Sequence, residues 1–232
     1  MPDAETQVAE MFARIARQLL AEPDPDATLR RIASLAHQHL TGGEAVSVWL
    51  RTGSTLTTVA ALGDLAAPLD QIQSDLGEGP CLDTLHDNEA VLSGDIHHER
   101  RWPRFALAAR PIGVSSILAI RLFVDDRTLG ALNVYSTTMN AFDEHAVAIG
   151  TIFATHAAIA LTSSRHEDNL ERKASSRESI GRAKGILMSV HNISDDEAFE
   201  LLRHASQHLN RKLVDVAGEV GRTGHLPDEP RT

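Results

Sequence analysis

Ser179-Ile180-Gly181-Arg182-Ala183-Lys184-Gly185-Ile186-Leu187-Met188 opens the stretch whose reading decides how this chain is organised. It continues through Asp196-Glu197-Ala198-Phe199 and Leu201-Leu202-Arg203-His204-Ala205-Ser206 to Asn210-Arg211-Lys212-Leu213 and Val216-Ala217. Apolar residues recur at helical spacing in three short runs, and basic residues interrupt each run. A small helical module that must both pack and grip a polyanion has this pattern. Ser194 or Asp195 is placed to cap the second helix, with Glu197 completing a capping box on Ser194. Asn210 breaks that helix, and Gly221 and Gly224 end the third. Ala183, Gly185, Met188, Ala198, Phe199 and Leu202 are expected in the core, because a helical glycine costs about 1 kcal/mol against alanine and implies a packing reason. The tail, residues 227–232, is expected to be disordered.

Upstream the pattern is different. Val8, Met11, Phe12, Ile15 and Leu19 predict a helix over residues 5–22, stopped by Pro23-Asp24-Pro25. Asp26 is the expected N-cap of a second helix with the stripe Leu29, Ile32, Ala33, Ala36 and Leu40, ended by Gly42-Gly43. The period then changes to two, with Val46, Val48 and Leu50 alternating against Ser47 and Trp49. Gly53-Ser54 turns the chain into a Thr-rich strand over residues 55–61, which makes a hairpin. Residues 68–88 read as mixed, with short helical pieces, and 89–94 as a short strand. A polar loop and helix fill 95–113. Two stronger strands follow, Ser115 to Phe123 and Thr128 to Tyr135, joined by Val124-Asp125-Asp126-Arg127. Asp143 caps a long helix, and the polar segment 162–178 holds no Pro or Gly to stop it. The order predicts an α+β fold: an antiparallel sheet flanked by helices, a long connecting helix and a C-terminal three-helix module. Ile152, Ile159, His166, Lys173, Ile180 and Leu187 recur every seven residues. With polar members in the middle, the connector reads equally as a short dimeric coiled coil or as a solvated single helix.

The totals bound the function. A chain of 232 residues suits two small domains, and 42% hydrophobic residues suffice for a core. No apolar run approaches the roughly 20 residues of a membrane span, and the acidic start Met1-Pro2-Asp3-Ala4-Glu5 lacks the layout of a signal peptide. The expected location is the cytoplasm. The single cysteine, Cys81, excludes an internal disulfide and a thiolate zinc cluster. The net charge of −10 argues against indiscriminate nucleic-acid binding. That charge is uneven. Residues 163–226 carry ten basic and ten acidic side chains, whereas residues 1–162 carry eleven against twenty, a net of −9.

The C-terminal part, about Ser175 to Leu226, resembles an ANTAR domain. The resemblance lies in Arg177, Ile180, Ala183 to Met188, Glu197-Ala198-Phe199, Leu202-Arg203, Ser206, Asn210, Leu213 and Val216-Ala217. It implies an RNA-binding three-helix module of transcription antitermination, acting as a dimer on paired small hairpins in nascent message. The part from Asp26 to Thr162 resembles a GAF domain, of the kind fused to ANTAR domains in actinobacterial regulators. It does so through Gly77-Glu78-Gly79-Pro80-Cys81, Arg101-Trp102-Pro103-Arg104-Phe105, Gly113-Val114-Ser115-Ser116, Leu129 to Ser136 and Phe142. The implied division is an N-terminal helix (1–25), a GAF-like sensor (26–162), a helical connector (163–178), an ANTAR-like RNA-binding domain (179–226) and the tail. The Asp and Lys pattern of a phosphoacceptor receiver is absent, so control by ligand, partner or redox state is expected.

Arg177, Lys184, Arg203, Asn210, Arg211 and Lys212 are the candidate RNA contacts. Arg and Lys neutralise phosphates, Arg also stacks on unpaired bases, and Asn offers a donor and an acceptor to a base edge. This reading needs the cations to converge on one exposed surface rather than be tied up in internal ion pairs. A pocket over the sheet, lined by Cys81, Trp102, Phe105, Ser116 and Tyr135, is the candidate ligand site; the alternative is that these residues fill the core. Cys81 reads as a redox-active thiol or, with more weight, as a small buried hydrophobe, and no second cysteine is present to resolve a sulfenic acid. His204 and His208 stand one turn apart, but no third ligand lies near in sequence and no metal or cofactor is expected. The function read from the sequence is a non-enzymatic, signal-responsive, homodimeric RNA-binding regulator of antitermination, triggered by an unknown small molecule or protein. Its rivals are a ligand-sensing protein whose C-terminal helices only dimerise or bind a protein, and a thiol-based redox sensor or reductase using Cys81.

Overall fold

The structure, a computed structural model, describes residues 4–53, 55–85 and 89–227. The expected disordered tail therefore lies outside the described residues from position 228 onward, as does Ser54 of the first hairpin turn. The chain divides into two compact units, Met1–His166 and Glu167–Thr232.

The first unit is built on five antiparallel strands: β1 (Ala45–Thr52), β2 (Thr55–Leu62), β3 (Ala90–Ser93), β4 (Ser116–Val124) and β5 (Arg127–Ser136). Their order across the sheet is β2-β1-β5-β4-β3. Before the sheet come α1 (Ala4–Leu20) and α2 (Pro25–His39). Between β2 and β4 lie α3 (Ala66–Leu76), α4 (Pro80–Thr84) and α5 (Pro103–Ala109). After the sheet runs α6 (Glu144–His191), and the second unit adds α7 (Asp195–His208) and α8 (Leu213–Thr223).

Alternation along the strands sends side chains to two different cores. Val46, Val48, Leu50, Leu118, Ile120, Leu122, Leu132 and Val134 meet Phe12, Ile15 and Leu19 of α1, Leu29 and Ile32 of α2, and Phe153, Ala157 and Leu161 of α6. Ile117 and Tyr135 meet Leu69 of α3 and Phe105 and Ala109 of α5. Trp49 and Ala131 pack with Cys81 and Leu85. Both faces of β1 are thus covered, and Ser47 and Trp49 are as buried as the valines. Each fully buried aliphatic or aromatic side chain contributes about 1.5–3 kcal/mol.

Local chemistry explains the boundaries. Asp24, not the expected Asp26, caps α2: its Oδ1 accepts from the Ala27 N–H at 2.7 Å. Pro25 takes the first helical position, where its missing N–H costs nothing, and so moves the cap one residue upstream of it. Asp125, at φ 51°, makes the tight β4–β5 turn. Asp143 caps α6 by accepting from Ala146 N–H at 2.8 Å. By length and composition alone one stretch of α6 would pass for a membrane span; here Phe153, Ala154, Ala157, Ala158, Ala160 and Leu161 are buried in the protein core. Between Leu161 and Ala183 no residue of α6 is buried. The pairs Arg172–Asp168 and Arg182–Glu178, one turn apart, support that bare stretch at about 0.3–0.5 kcal/mol each.

The centre of the sheet leaves no room at Gly130, which pairs with Leu50 on one side and Leu122 on the other. A Cβ there would come within 1.8 Å of the Trp49 carbonyl oxygen. Gly130→Ala is expected to destabilise the first unit by about 2–4 kcal/mol, read as a lowered urea midpoint of tryptophan fluorescence. A wild-type midpoint would show that β1 and β5 do not approach so closely.

Candidate nucleic-acid interface and sensor cavity

The second unit closes over one small core. Ala183 and Leu187 from the end of α6 meet Ala198 and Leu202 of α7 and Val216, Ala217 and Val220 of α8. Ser194 caps α7 in the expected capping box with Glu197. Asn210 adopts a left-handed conformation, φ 49°, immediately after α7. Asn tolerates that conformation better than most residues, so its identity has a structural reason independent of any base contact. Two expected core residues lie elsewhere. Phe199 is 37% exposed, and Gly185 is exposed with no atom within 4 Å of where its Cβ would stand. Phe199 follows the buried Ala198 by 100° around the helix and so turns outward; Gly185 stands two positions from both Ala183 and Leu187, away from the packed face.

The five basic residues among the six candidate RNA contacts fall into two groups. Arg177 and Lys212 are exposed and make no ion pair among the described residues. Lys184, Arg203 and Arg211 are each held by a carboxylate: Lys184 Nζ lies 2.6 Å from Asp195 Oδ2, Arg203 Nη2 2.5 Å from Glu200 Oε2, and Arg211 Nη1 2.7 Å from Glu219 Oε2. Three of the expected cations are thus paired with carboxylates rather than free. The acidic first turn of α7 (Asp195, Asp196, Glu197) favours the helix N-terminus and attracts nearby bases for the same reason. Arg177 and Lys184, seven residues apart, point to within about 20° of one direction on α6. Lys184 Nζ also lies 6.0 Å from the Phe199 ring centre. Arg182, absent from the expected set, pairs with Glu178 and reaches α8, its Cδ 3.6 Å from the Cβ position of Gly221.

In the first unit the five expected pocket residues are all buried. Tyr135, Phe105 and Trp102 belong to the core under α3 and α5, and Cys81 to the patch with Trp49. Ser116 is fully buried, and its Oγ donates to the Thr138 carbonyl at 2.7 Å. The motif residues around them act as clamps. Glu78 accepts from the backbone N–H groups of Arg104 and Phe105 at 2.7 and 3.1 Å, capping α5. Trp102 Nε1–H donates to Asp83 at 2.8 Å. Arg101 pairs with Glu99, whose carboxyl falls to about 2 chiefly through that bond.

Asp70, Ser47, Asn133 and Tyr135 form a buried polar chain that the sequence reading missed. The Asp70 carboxylate accepts from Ser47 Oγ at 2.9 Å, Tyr135 OH at 2.5 Å and Thr58 Oγ1 at 2.7 Å. Asn133 Nδ2 donates to Ser47 Oγ at 3.1 Å, and Gln73 links Tyr135 OH to the Cys81 N–H. Burial raises the Asp70 carboxyl above its ordinary range, against the pull of Tyr135 and the other donors. A serine and an asparagine at strand positions, where apolar residues were the norm, were the legible signal. A cavity of about 280 Å³ opens beside Asp70, lined by Trp49, Leu56, Thr57, Thr58, Ala67, Asp70, Gln71 and Ser74. A larger one, about 490 Å³, lies among Val8, Met11, His39, Asp143, His145 and Ile149.

Burial pushes the Cys81 thiol well above its ordinary pKa, and the Asp70 charge pushes the same way. The nucleophilic thiolate is therefore disfavoured and sealed from solvent. A disulfide-exchange reagent is expected to modify Cys81 on the order of a hundredfold more slowly in the native chain than in the unfolded one. Equal rates would restore the redox reading.

Comparison with known proteins follows the same division. The GAF domain profile matches residues 22–162 and the ANTAR domain profile residues 168–220. Among curated proteins none matches the chain. The fold is similar to that of free methionine-R-sulfoxide reductase from Neisseria meningitidis, solved with its substrate, at 22% identity and a TM-score of 0.57 over 72% of this chain and 95% of that one. It is similar to the GAF domain of a phosphoenolpyruvate-protein phosphotransferase from Coxiella burnetii, at 16% identity and a TM-score of 0.56 over 72% and 99%. A bacteriophytochrome from R. palustris aligns at 12% identity and a TM-score of 0.64 over 87% of this chain and 47% of its own. At these identities the likeness is one of fold. With a GAF domain over the sheet and an ANTAR domain over the three C-terminal helices, the chain belongs to the GAF–ANTAR regulators.

Proposed function

We propose that this chain is a signal-responsive regulator that binds hairpins in nascent mRNA and promotes transcription antitermination. The observation that carries the proposal is the ANTAR match at residues 168–220, which falls on a helical unit with exposed cations on α6 and before α8. Arg177 and Lys212 are available to phosphates at once. Lys184 and Arg203 are held by exposed carboxylates and Arg211 by a part-exposed one, and ion pairs in contact with water contribute little to stability. A phosphate can replace a partner held that weakly. Asn210 presents an exposed amide to a base edge. A hairpin held in this way competes with a terminator, and the polymerase continues.

The GAF domain receives the signal, a small molecule or a protein, and α6 joins it covalently to the RNA-binding helices. Homodimerisation would use Ile152, Ile159 and Leu170, which are 42%, 50% and 52% exposed. The seven-residue spacing puts Ile152 and Ile159 on one side of the helix within the first unit. Two linked modules on two hairpins gain effective concentration. The regulator acts in the cytoplasm and catalyses no reaction. The reductase reading finds no support in a sealed thiol and a single cysteine.

Gel shifts with an RNA carrying two hairpins, at two salt concentrations, test this. Affinity is expected to fall steeply with salt, and duplex DNA to compete poorly. An Arg177→Ala, Lys212→Ala variant is expected to bind about tenfold more weakly, with a log–log salt slope shallower by roughly 0.7–0.9 per cation removed. Salt-independent binding, or full affinity in that variant, would overturn the interface.

A further inference from the structure

Asp70 is a buried carboxylate without a counter-charge. It is 2% exposed, and its partners Ser47, Thr58 and Tyr135 are neutral hydroxyls. Among the described residues no ion pair involves it. Buried charges are ordinarily matched by an opposite charge. The cavity beside it is walled by eight residues, of which Asp70 alone carries a formal charge. Trp49, also 2% exposed, forms another wall. An aromatic wall attracts cations through its ring quadrupole. The cavity has no lysine or arginine to receive a phosphate or a carboxylate.

We infer that this cavity takes a small organic cation, an ammonium or amidinium compound, whose N–H groups donate to the Asp70 carboxylate while its body lies against Trp49. The inference rests on the proposed role of the GAF domain as signal receiver and names the chemical class of the signal. Anionic ligands, phosphorylated ones among them, are excluded by the charge of the site. Asp70 is also where a ligand has leverage. It ties α3 to β1 through Ser47, to β2 through Thr58 and to β5 through Tyr135. A cation at this carboxylate bears on four elements at once.

The test titrates the full chain, with no RNA present, using benzylamine, benzyl alcohol and benzoate. The three probes share a ring and differ in charge: cation, neutral and anion. Binding is read by tryptophan fluorescence and by the thermal midpoint. Benzylamine is expected to bind at least about tenfold more tightly than the other two, a difference of about 1.4 kcal/mol, and Asp70→Asn is expected to erase that preference. Asp70→Asn also disturbs three hydroxyl partners, so a second variant, Ala67→Leu, enlarges an exposed side chain at the cavity's rim, narrows its mouth and leaves those bonds in place. It is expected to weaken benzylamine binding with an unchanged circular dichroism spectrum. Equal affinity for all three probes overturns the inference, as does benzylamine binding that survives Ala67→Leu in a folded chain. Because the titration contains no RNA, its failure leaves the RNA-binding proposal standing, and a chain that binds the amine but no hairpin fails only on the other count.

Discussion

The structure depends on β5 being buried on both faces while its backbone presses against β1. That contact requires Gly130, because any side chain there would strike the Trp49 carbonyl. It also requires helices on both sides of the sheet, which α1, α2 and α6 supply on one face and α3 and α5 on the other. The two faces are chemically unlike. One is aliphatic throughout. The other carries Ser47, Asn133 and Tyr135 among its apolar residues, and each needs a hydrogen-bond partner once water is excluded. Asp70 on α3 satisfies two of them directly. The polar chain is therefore both what fastens α3 to the sheet and what gives the neighbouring cavity its charge.

The residues by which the first unit resembles its family are mainly architectural. Glu78 caps α5 from 26 and 27 positions away in sequence. Asp83 holds the Trp102 indole, and Gln73 bridges Tyr135 to the backbone of Cys81. These bonds fix short helices that could not persist alone, since isolated turns of five and seven residues are far below the length at which helix is stable in water. Fixing α4 and α5 in turn seals Cys81.

The element order, the antiparallel sheet and the three-helix end were legible because periods of two and 3.6 are strong signals and because Asp143, Ser194 and Glu197 are local caps. The α2 cap was read two residues late, at Asp26 rather than Asp24, since the effect of Pro25 on the cap depends on which side of it the helix begins. Phe199 and Gly185 were misread for a different reason: a helix of few residues has several faces compatible with its apolar positions, and only the packing partners choose among them. The ion pairs at Lys184 and Arg211 join residues eleven and eight positions apart across turns, and no periodicity reports such contacts. Asp70 escaped notice because an acidic residue in a helix reads as solvated, and its burial follows from strand residues 23 and 65 positions further along or back in the chain.

The bare middle of α6 has an evolutionary consequence. The helix has 48 residues, yet between Leu161 and Ala183 none of them is fully buried. Substitutions there meet little packing resistance, and whole turns can be gained or lost without disturbing the fold at either end. Such a seam is where a different input domain could be joined to the same C-terminal helices without repacking either core.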